Sequence, residues 1–294
     1  MNMKISAVIV TYNRLTLLKE CLAAVRTQSY SVSSIVIIDN ASTDGTKEFL
    51  DSIGEEGIHI THCEKNMGGA WGFTESIAQA VKQGSDAVWM MDDDTVPQQD
   101  ALEKLVLVLE QHQDAGFINS KVVWTDGTVH KMNIPGYVSY EEQEGGLYLI
   151  RSASFVSLLV PSKVVREVGL PYRDFFIWVD DAEFTSRIYR TGYPGFLVSD
   201  SIAVHKTAAN YGADIRIATP ESAWKFYYYM RNGMFASRGE KPWIVWFFKN
   251  LNHLRLDIRR IKHLPKEVQK TFKKNLWRGF IDGLSFYPQK EFVE

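Results

Sequence analysis

Three consecutive carboxylates, Asp92-Asp93-Asp94, follow five apolar residues running from Ala87 to Met91. The apolar run reads as a buried strand. Burying adjacent carboxylates without a counter-charge costs several kcal/mol each, so the acids belong just past the strand's carboxyl end. That edge is where open α/β sheets bind ligands. In an extended backbone Asp92 and Asp94 point one way and Asp93 the other. Two hard oxygen ligands on one side suit Mg2+ or Mn2+, ions that also take phosphate. A solvated acidic turn capping the helix from Asp100 is the competing reading. A second acidic group, Asp180-Asp181-Ala182-Glu183, heads another helical stretch, where the macrodipole alone favours carboxylates.

The elements that must position these acids are legible in order. Ile5–Val10 is β-branched and nearly all apolar, as in a central parallel strand. Thr11-Tyr12-Asn13-Arg14 ends it, and Leu15, Leu18, Leu22 and Val25 follow at helical spacing. Ser34–Ile38 is a second strand, closed by Asp39-Asn40-Ala41-Ser42-Thr43-Asp44-Gly45 ahead of a helix over Thr46–Ile53. Ile58–Cys63 is a weaker third strand, followed by Asn66-Met67-Gly68-Gly69-Ala70-Trp71-Gly72-Phe73 and a helix to about Gln83. This alternation predicts a nucleotide-binding α/β half with its polar loops at one sheet edge. Beyond a helix at Leu102–Gln111 and a strand at Phe117–Trp124, Thr125–Gly146 reads as an acceptor-side loop or hairpin. Strands are expected at Phe155–Val160 and Gly195–Val204, a short helix at Ser162–Val168, and an irregular loop at Thr207–Pro220. From Glu221 the chain reads as three helices.

The 294 residues suffice for one large α/β domain with a helical appendage. No apolar run approaches the roughly 18–20 residues of a membrane span, and the start shows no secretory signal. Cys21 and Cys63 have neither metal-site nor disulfide spacing, which fits a reducing cytoplasm. Residues 241–294 hold 12 Lys/Arg and 5 Asp/Glu, a net +7; residues 1–240 hold 21 and 30, a net −9. A basic tail carrying Trp243, Trp246, Phe247, Phe248, Phe272 and Trp277 predicts an anionic membrane surface as partner. A helix that packs its apolar face on the catalytic body is the alternative.

Taken together, Val10-Thr11-Tyr12-Asn13-Arg14, Asp39-Asn40-Ala41-Ser42-Thr43-Asp44, Asp92-Asp93-Asp94, and Asp180-Asp181-Ala182-Glu183 followed by His205 resemble family 2 glycosyltransferases. The likeness runs from about Ile5 to His205, and more loosely to Asn232. It implies a GT-A fold: a Rossmann-like α/β mixed sheet flanked by helices, here with a C-terminal helical extension. The expected division is a catalytic domain over 1–220, its nucleotide half about 1–97 and acceptor half about 98–220, then the extension over 221–294. Asn66–Phe73 and Tyr228-Tyr229-Met230-Arg231-Asn232 are similar to the branch holding bacterial galactofuranosyltransferases and rhamnosyltransferases. Trp71 departs from that branch, which more often has a small residue there.

The resemblance gives each piece a task. Thr11, Arg14, Asp39, Asp44 and Asn66 would grip the nucleoside; turn and helix capping is the competing role for the two acids. Gly68 and Gly69 permit close backbone approach or positive φ, as packing glycines also do. Asp92, Asp94 and His205 would hold Mn2+ or Mg2+, which neutralises charge on the departing diphosphate, and Asp93 would face the donor sugar or ribose. Asp181 would be the base that activates the acceptor hydroxyl, with Asp180 holding acceptor hydroxyls. Glu183 and Arg187, four apart on one helix, read as a structural pair. A single base opposite the leaving group implies inversion at the anomeric carbon. The implied activity moves a sugar from a UDP- or dTDP-linked donor to a glycan or lipid-linked glycan. UDP-galactofuranose is the first choice of donor and dTDP-rhamnose the second. The implied enzyme is cytoplasmic and peripheral on the inner membrane face, with no nucleic acid as partner. Two other classes compete: a haloacid-dehalogenase-like phosphatase, whose acidic loop would follow the first strand and not the fourth, and a sugar-nucleotide-binding subunit without turnover.

Overall fold

A computed structural model describes residues 3–212 and 214–293. The chain begins β1 (Ile5–Thr11), α1 (Leu15–Arg26), β2 (Ser34–Asp39), α2 (Thr46–Asp51), β3 (Ile58–His62), α3 (Gly69–Lys82) and β4 (Ala87–Asp92). It continues through β5 (Thr95–Pro97), α4 (Ala101–Gln111), β6 (Phe117–Val123), β7 (Gly136–Tyr137), β8 (Leu147–Ser152) and β9 (Leu158–Pro161). Then come α5 (Ser162–Val168), α6 (Asp180–Arg190), β10 (Gly195–His205), α7 (Lys225–Ala236), α8 (Trp243–Arg260) and α9 (Lys266–Ser285).

The strands form one mixed sheet in the order β3-β2-β1-β4-β9-β6-β10-β8-β7, with β5 pairing β10. β1 runs parallel to both β2 and β4, in a register that sets Thr11 opposite Asp39 and Val10 opposite Asp92. The chain leaves β1 outward on one side and returns for β4 on the other. The carboxyl ends of β1 and β4 therefore flank a topological switch point, the crevice where such sheets take ligands. These strands are continuously apolar because both faces are covered. Ile9, Ile37, Trp89 and Met91 pack with α1 and α4 residues on one side; Val8, Val36, Val88 and Met90 pack under α3 and α5 on the other.

Three elements differ from the sequence reading. β5 is hidden in the acidic turn: Thr95 and Val96 pair with His205 and Val204 of β10. β8 lies between two segments read as loop and strand, and pairs antiparallel to β10. The strand expected at Phe155–Val160 begins only at Leu158, because Ser157 takes φ +54°. Its hydroxyl accepts from Trp89 Nε1 (3.1 Å) and bonds Ser120 Oγ (2.6 Å). These long-range side-chain bonds hold Ser157 in a conformation that the ladder cannot take.

The C-terminal helices pack on one another around Phe226, Met230, Met234, Trp246, Leu276 and Phe280. Each such buried side chain contributes about 1.5–3 kcal/mol. α7 and α9 approach so closely that a Cβ on Gly279 would lie 2.4 Å from the Tyr227 carbonyl oxygen. Pro242 and Pro265, in extended conformation, stand immediately before α8 and α9 and cannot extend the preceding helix. The tail returns to the catalytic body, where Leu170 N donates to Glu291 O (2.8 Å) and Arg173 pairs with Glu291.

Candidate active site

The loops after β1 and β2 are joined to each other. Asn13, at φ +54°, accepts from Thr43 N (2.6 Å) through Oδ1, and its own N–H donates to Ser42 Oγ (2.9 Å). Asp39 is buried, with Oδ1 accepting from Ser42 N (3.0 Å) and Oδ2 against His62 Nδ1 (2.8 Å). Asp44 accepts from Leu15 N (3.0 Å) at the start of α1 and from Thr46 Oγ1 (2.6 Å). The turn and capping roles weighed for these two acids are present. Asn66 Oδ1 accepts from Gly68 N (2.8 Å), closing a tight turn. Gly68, at φ +89°, admits no other residue, since its Cβ would meet Phe176 O at 2.3 Å. Gly69 opens α3 with open space where a Cβ would stand.

The acidic triplet sits at the switch point, but not in an extended backbone: Asp93 and Asp94 form a turn. The turn still separates their roles. Asp93 faces β1, accepting from Thr11 Oγ1 (2.8 Å) and Tyr12 N (3.2 Å). Asp94 turns toward His205, delivered by the β5–β10 pairing, and Lys206 N donates to the Asp94 carbonyl (2.8 Å). Arg14 pairs with both Asp93 and Asp94, so it lies over the acids and not beside Asp39. Burial pushes Asp93 up to about 7 against the opposing pull of Arg14, and burial with Asp94's charge pushes Asp92 up to about 6. For Asp94, burial is outweighed by His205 and Arg14, which hold its pKa low.

Asp92, Asp94 and His205 each bring a ligand atom to within 4.8 Å of the others. The donor chemistry fits a divalent cation. His205 Nδ1 faces Asn133 Oδ1 at 2.8 Å, an acceptor, so a neutral ring with its proton on Nδ1 would turn the Nε2 lone pair inward. That nitrogen is 3.0 Å from Asp94 Oδ1, a buried oxygen with no hydrogen-bond donor. Two acceptor atoms face each other where an N/O-ligated ion such as Mn2+ would bind. A proton on Nε2 is the other way to join them. Burial disfavours the imidazolium, but Asp94 outweighs burial and raises the His205 pKa.

The second acidic group heads α6. Its approach is contorted: Phe176, Trp178 and Val179 have φ of +65°, +66° and +72°. Left-handed φ is a true outlier for a β-branched residue. Burial and the neighbouring Asp181 push Asp180 well above the usual carboxylate range; burial also pushes Asp181 up to about 6. The Asp92 charge reaches both. Glu183 pairs with Arg187 (3.1 Å) inside the fold, as its spacing predicts.

Some residues at the site escape a reading by residue type. Asn133, inside the stretch assigned to acceptor contacts, instead orients His205 and donates to Ser154 Oγ (2.8 Å). Asn40 bridges the loops after β2 and β3, with Oδ1 accepting from Met67 N (2.7 Å) and Nδ2 donating to Gly68 O (2.9 Å). Asn232 of α7 donates to the carbonyls of Phe175 (2.9 Å), Ile177 (3.1 Å) and Trp178 (2.9 Å). The only sequence signal for Asn232 was its place in the Tyr228–Asn232 motif.

A parallel-centred mixed sheet, a switch-point acidic triplet and a histidine at its far edge define a GT-A-type α/β fold. The sequence profile described as Glycosyl transferase family 2 matches residues 6–157, just over half of the chain. The chain belongs to that family. Galactofuranosyltransferase GlfT1 of Mycolicibacterium smegmatis is 25% identical over 202 residues, covering 65% of this chain and 67% of the relative. Among solved structures, TarS of S. aureus in complex with UDP-GlcNAc aligns with a TM-score of 0.62 at 16% identity, over 96% of this chain and 81% of TarS. GalNAc-T7 with UDP, GalNAc and Mn2+ aligns at 0.60 and 14% identity over 96% of this chain, which spans 56% of that protein's length. No helix among the described residues is long and apolar enough to cross a membrane.

Proposed function

We propose that the protein is an inverting, metal-dependent glycosyltransferase that moves galactofuranose from UDP-galactofuranose to a lipid-linked glycan in surface-polysaccharide or cell-wall synthesis. The observation that carries this reading is the cluster of Asp92, Asp94 and His205 at the switch point, with the Asp180–Asp181 pair near enough to feel the Asp92 charge. The named activity of the mycobacterial relative supports the choice of sugar. Residues 1–220 carry the catalysis, and the basic helices of 221–294 bring the enzyme to the cytoplasmic face of the membrane.

Thr11, Asp39, Asp44, Asn66 and the backbone at Gly68 and Gly69 line the nucleoside side of the donor. Asp93, held by Thr11, faces ribose or sugar, and Arg14 reaches the diphosphate. Asp92, Asp94 and His205 would hold Mn2+ or Mg2+, which supplies Lewis-acid neutralisation of the leaving diphosphate. Asp181, with its raised pKa near the working range of a base, takes the acceptor hydroxyl's proton as that oxygen bonds C1. The C1–O bond to phosphate breaks and the nucleotide departs from the opposite face. Asp180, whose burial beside Asp181 favours the protonated form, holds an acceptor hydroxyl.

A panel of UDP- and dTDP-linked sugars, with the product linkage read by NMR, tests the donor. Transfer from UDP-galactofuranose is expected; transfer from dTDP-rhamnose alone would replace the sugar. Chelation should abolish transfer and added Mn2+ restore it, while Asp94→Ala should weaken donor binding. Full turnover after rigorous chelation would remove the metal from the scheme.

A further inference from the structure

Packing divides the basic, aromatic tail into two faces. Trp246, Leu254, Phe272, Leu276 and Phe280 turn inward and are buried with α7. Other apolar residues are left outside. On α8, Ile244, Val245 and Phe248 are 58%, 49% and 57% exposed. At 100° per residue they share one arc with exposed Lys249, Arg255, Leu256 and Arg259. α8 itself brings no carboxylate to that face: Asp257, its only acid, is buried and paired with Arg260 (2.9 Å), while Glu240, just before the helix, lies 3.9 Å from Lys249. On α9, exposed Trp277 and Ile281 share a face with Lys266, Lys270 and Lys274. Glu267 alone offsets them in the first turn. The two faces adjoin, because the rings of Trp243, Phe247, Phe280 and Trp277 follow one another at 5.5, 5.9 and 5.9 Å between centroids.

We infer that this outer face of α8 and α9 is a docking surface for an anionic lipid bilayer. The inference deepens the membrane-side reading above by assigning it to named residues. The arrangement decides the occupant. Apolar side chains gather at the first two turns of α8 and near the end of α9, and the cations extend from them along the same faces of the two helices. Insertion of such a face into the headgroup boundary buries the apolar groups while lysine and arginine stay with lipid phosphates. A second copy of the chain would bring like charge against like across the same patch.

Sedimentation with phosphatidylcholine vesicles, with and without phosphatidylglycerol, tests the surface on the full chain. The protein should bind the anionic vesicles, and much less as salt rises. Ile244→Glu with Phe248→Glu should weaken binding by about tenfold or more. Arg255→Gln with Arg259→Gln should weaken it separately, and circular dichroism and the thermal midpoint should show each variant folded. Equal binding to neutral vesicles, no binding, or a double variant that sediments like wild type would overturn the inference. So would a dimer on size exclusion that Ile244→Glu with Phe248→Glu splits. A protein that docks on lipid through this face yet transfers no sugar would defeat the proposed reaction and leave the docking surface standing.

Discussion

Asn232 is fully buried, and its side chain is the main support of the strained approach to α6. Three left-handed residues, Phe176, Trp178 and Val179, cost about 1–3 kcal/mol each, or roughly 3–9 kcal/mol together. Against this, Asn232 satisfies the Ile177 and Trp178 carbonyls, while Phe175 O also receives Arg231 (3.3 Å). Leaving these two half-buried carbonyls without a donor costs at most about 2–6 kcal/mol. The two sums are of one size, so Asn232→Leu, which keeps volume but not the donor, should let the loop relax. Relaxation returns the strain energy, so global stability should fall by only about 1–3 kcal/mol. The chemistry should suffer more, because Asp180 and Asp181 follow the loop directly. A displacement near 1 Å costs about 10²-fold in rate. Turnover at saturating donor should drop by that order, with donor affinity near wild type, and the acidic limb of the pH profile should shift with the altered surroundings of Asp181. A folded Asn232→Leu enzyme with unchanged turnover and pH profile would refute the account.

Two further tests address the two acidic groups. Asp181→Asn should lower turnover by ~10²–10⁴-fold with donor binding retained. As the proposed base, Asp181 would work unprotonated and is pushed up to about 6, so kcat/KM should fall tenfold per unit below that pH and level off above it; a profile flat through that pH would place the base elsewhere. Asn133→Leu frees the Nδ1 edge of His205, and Mn2+ affinity measured by calorimetry should fall by about 10–100-fold. Unchanged Mn2+ affinity would mean that Asn133 has no part in orienting the ligand.

Much of this arrangement was legible because it follows from burial along a single segment. The runs Ile5–Val10, Ile35–Ile38 and Ala87–Met91 had to be internal strands, and the polar residues ending each had to collect at one edge. Asp93 and Asp94 came out on different sides for another reason than the one expected, since a turn and not a pleat separates them. What the sequence hides is non-local. The three residues of β5 are too short for a period, and only their pairing with β10 brings His205 to Asp94. Asn133 is 72 positions from His205 and carries no local pattern. Positive φ at Phe176, Trp178 and Val179 contradicts side-chain preference, and strain of that kind is imposed by the surrounding structure.

The tail shows the same limit from the other side. Read as one amphipathic pattern, its aromatics offered either packing on the body or contact with a membrane. The structure separates them by helical angle: Trp246 and Leu254 go inward while Ile244 and Phe248 stay outside. α7 connects the two halves of the molecule. Phe226, Met230 and Met234 pack against α8 and α9, and Arg231 and Asn232 turn toward the loop that carries Asp180 and Asp181. Close backbone approach at Gly279 leaves little room for α7 to slide on α9. A surface held by α8 and α9 is therefore held at a fixed attitude to the loop before α6. On the proposed reaction, with the acceptor carried in a membrane, that attitude would decide which hydroxyl reaches Asp181.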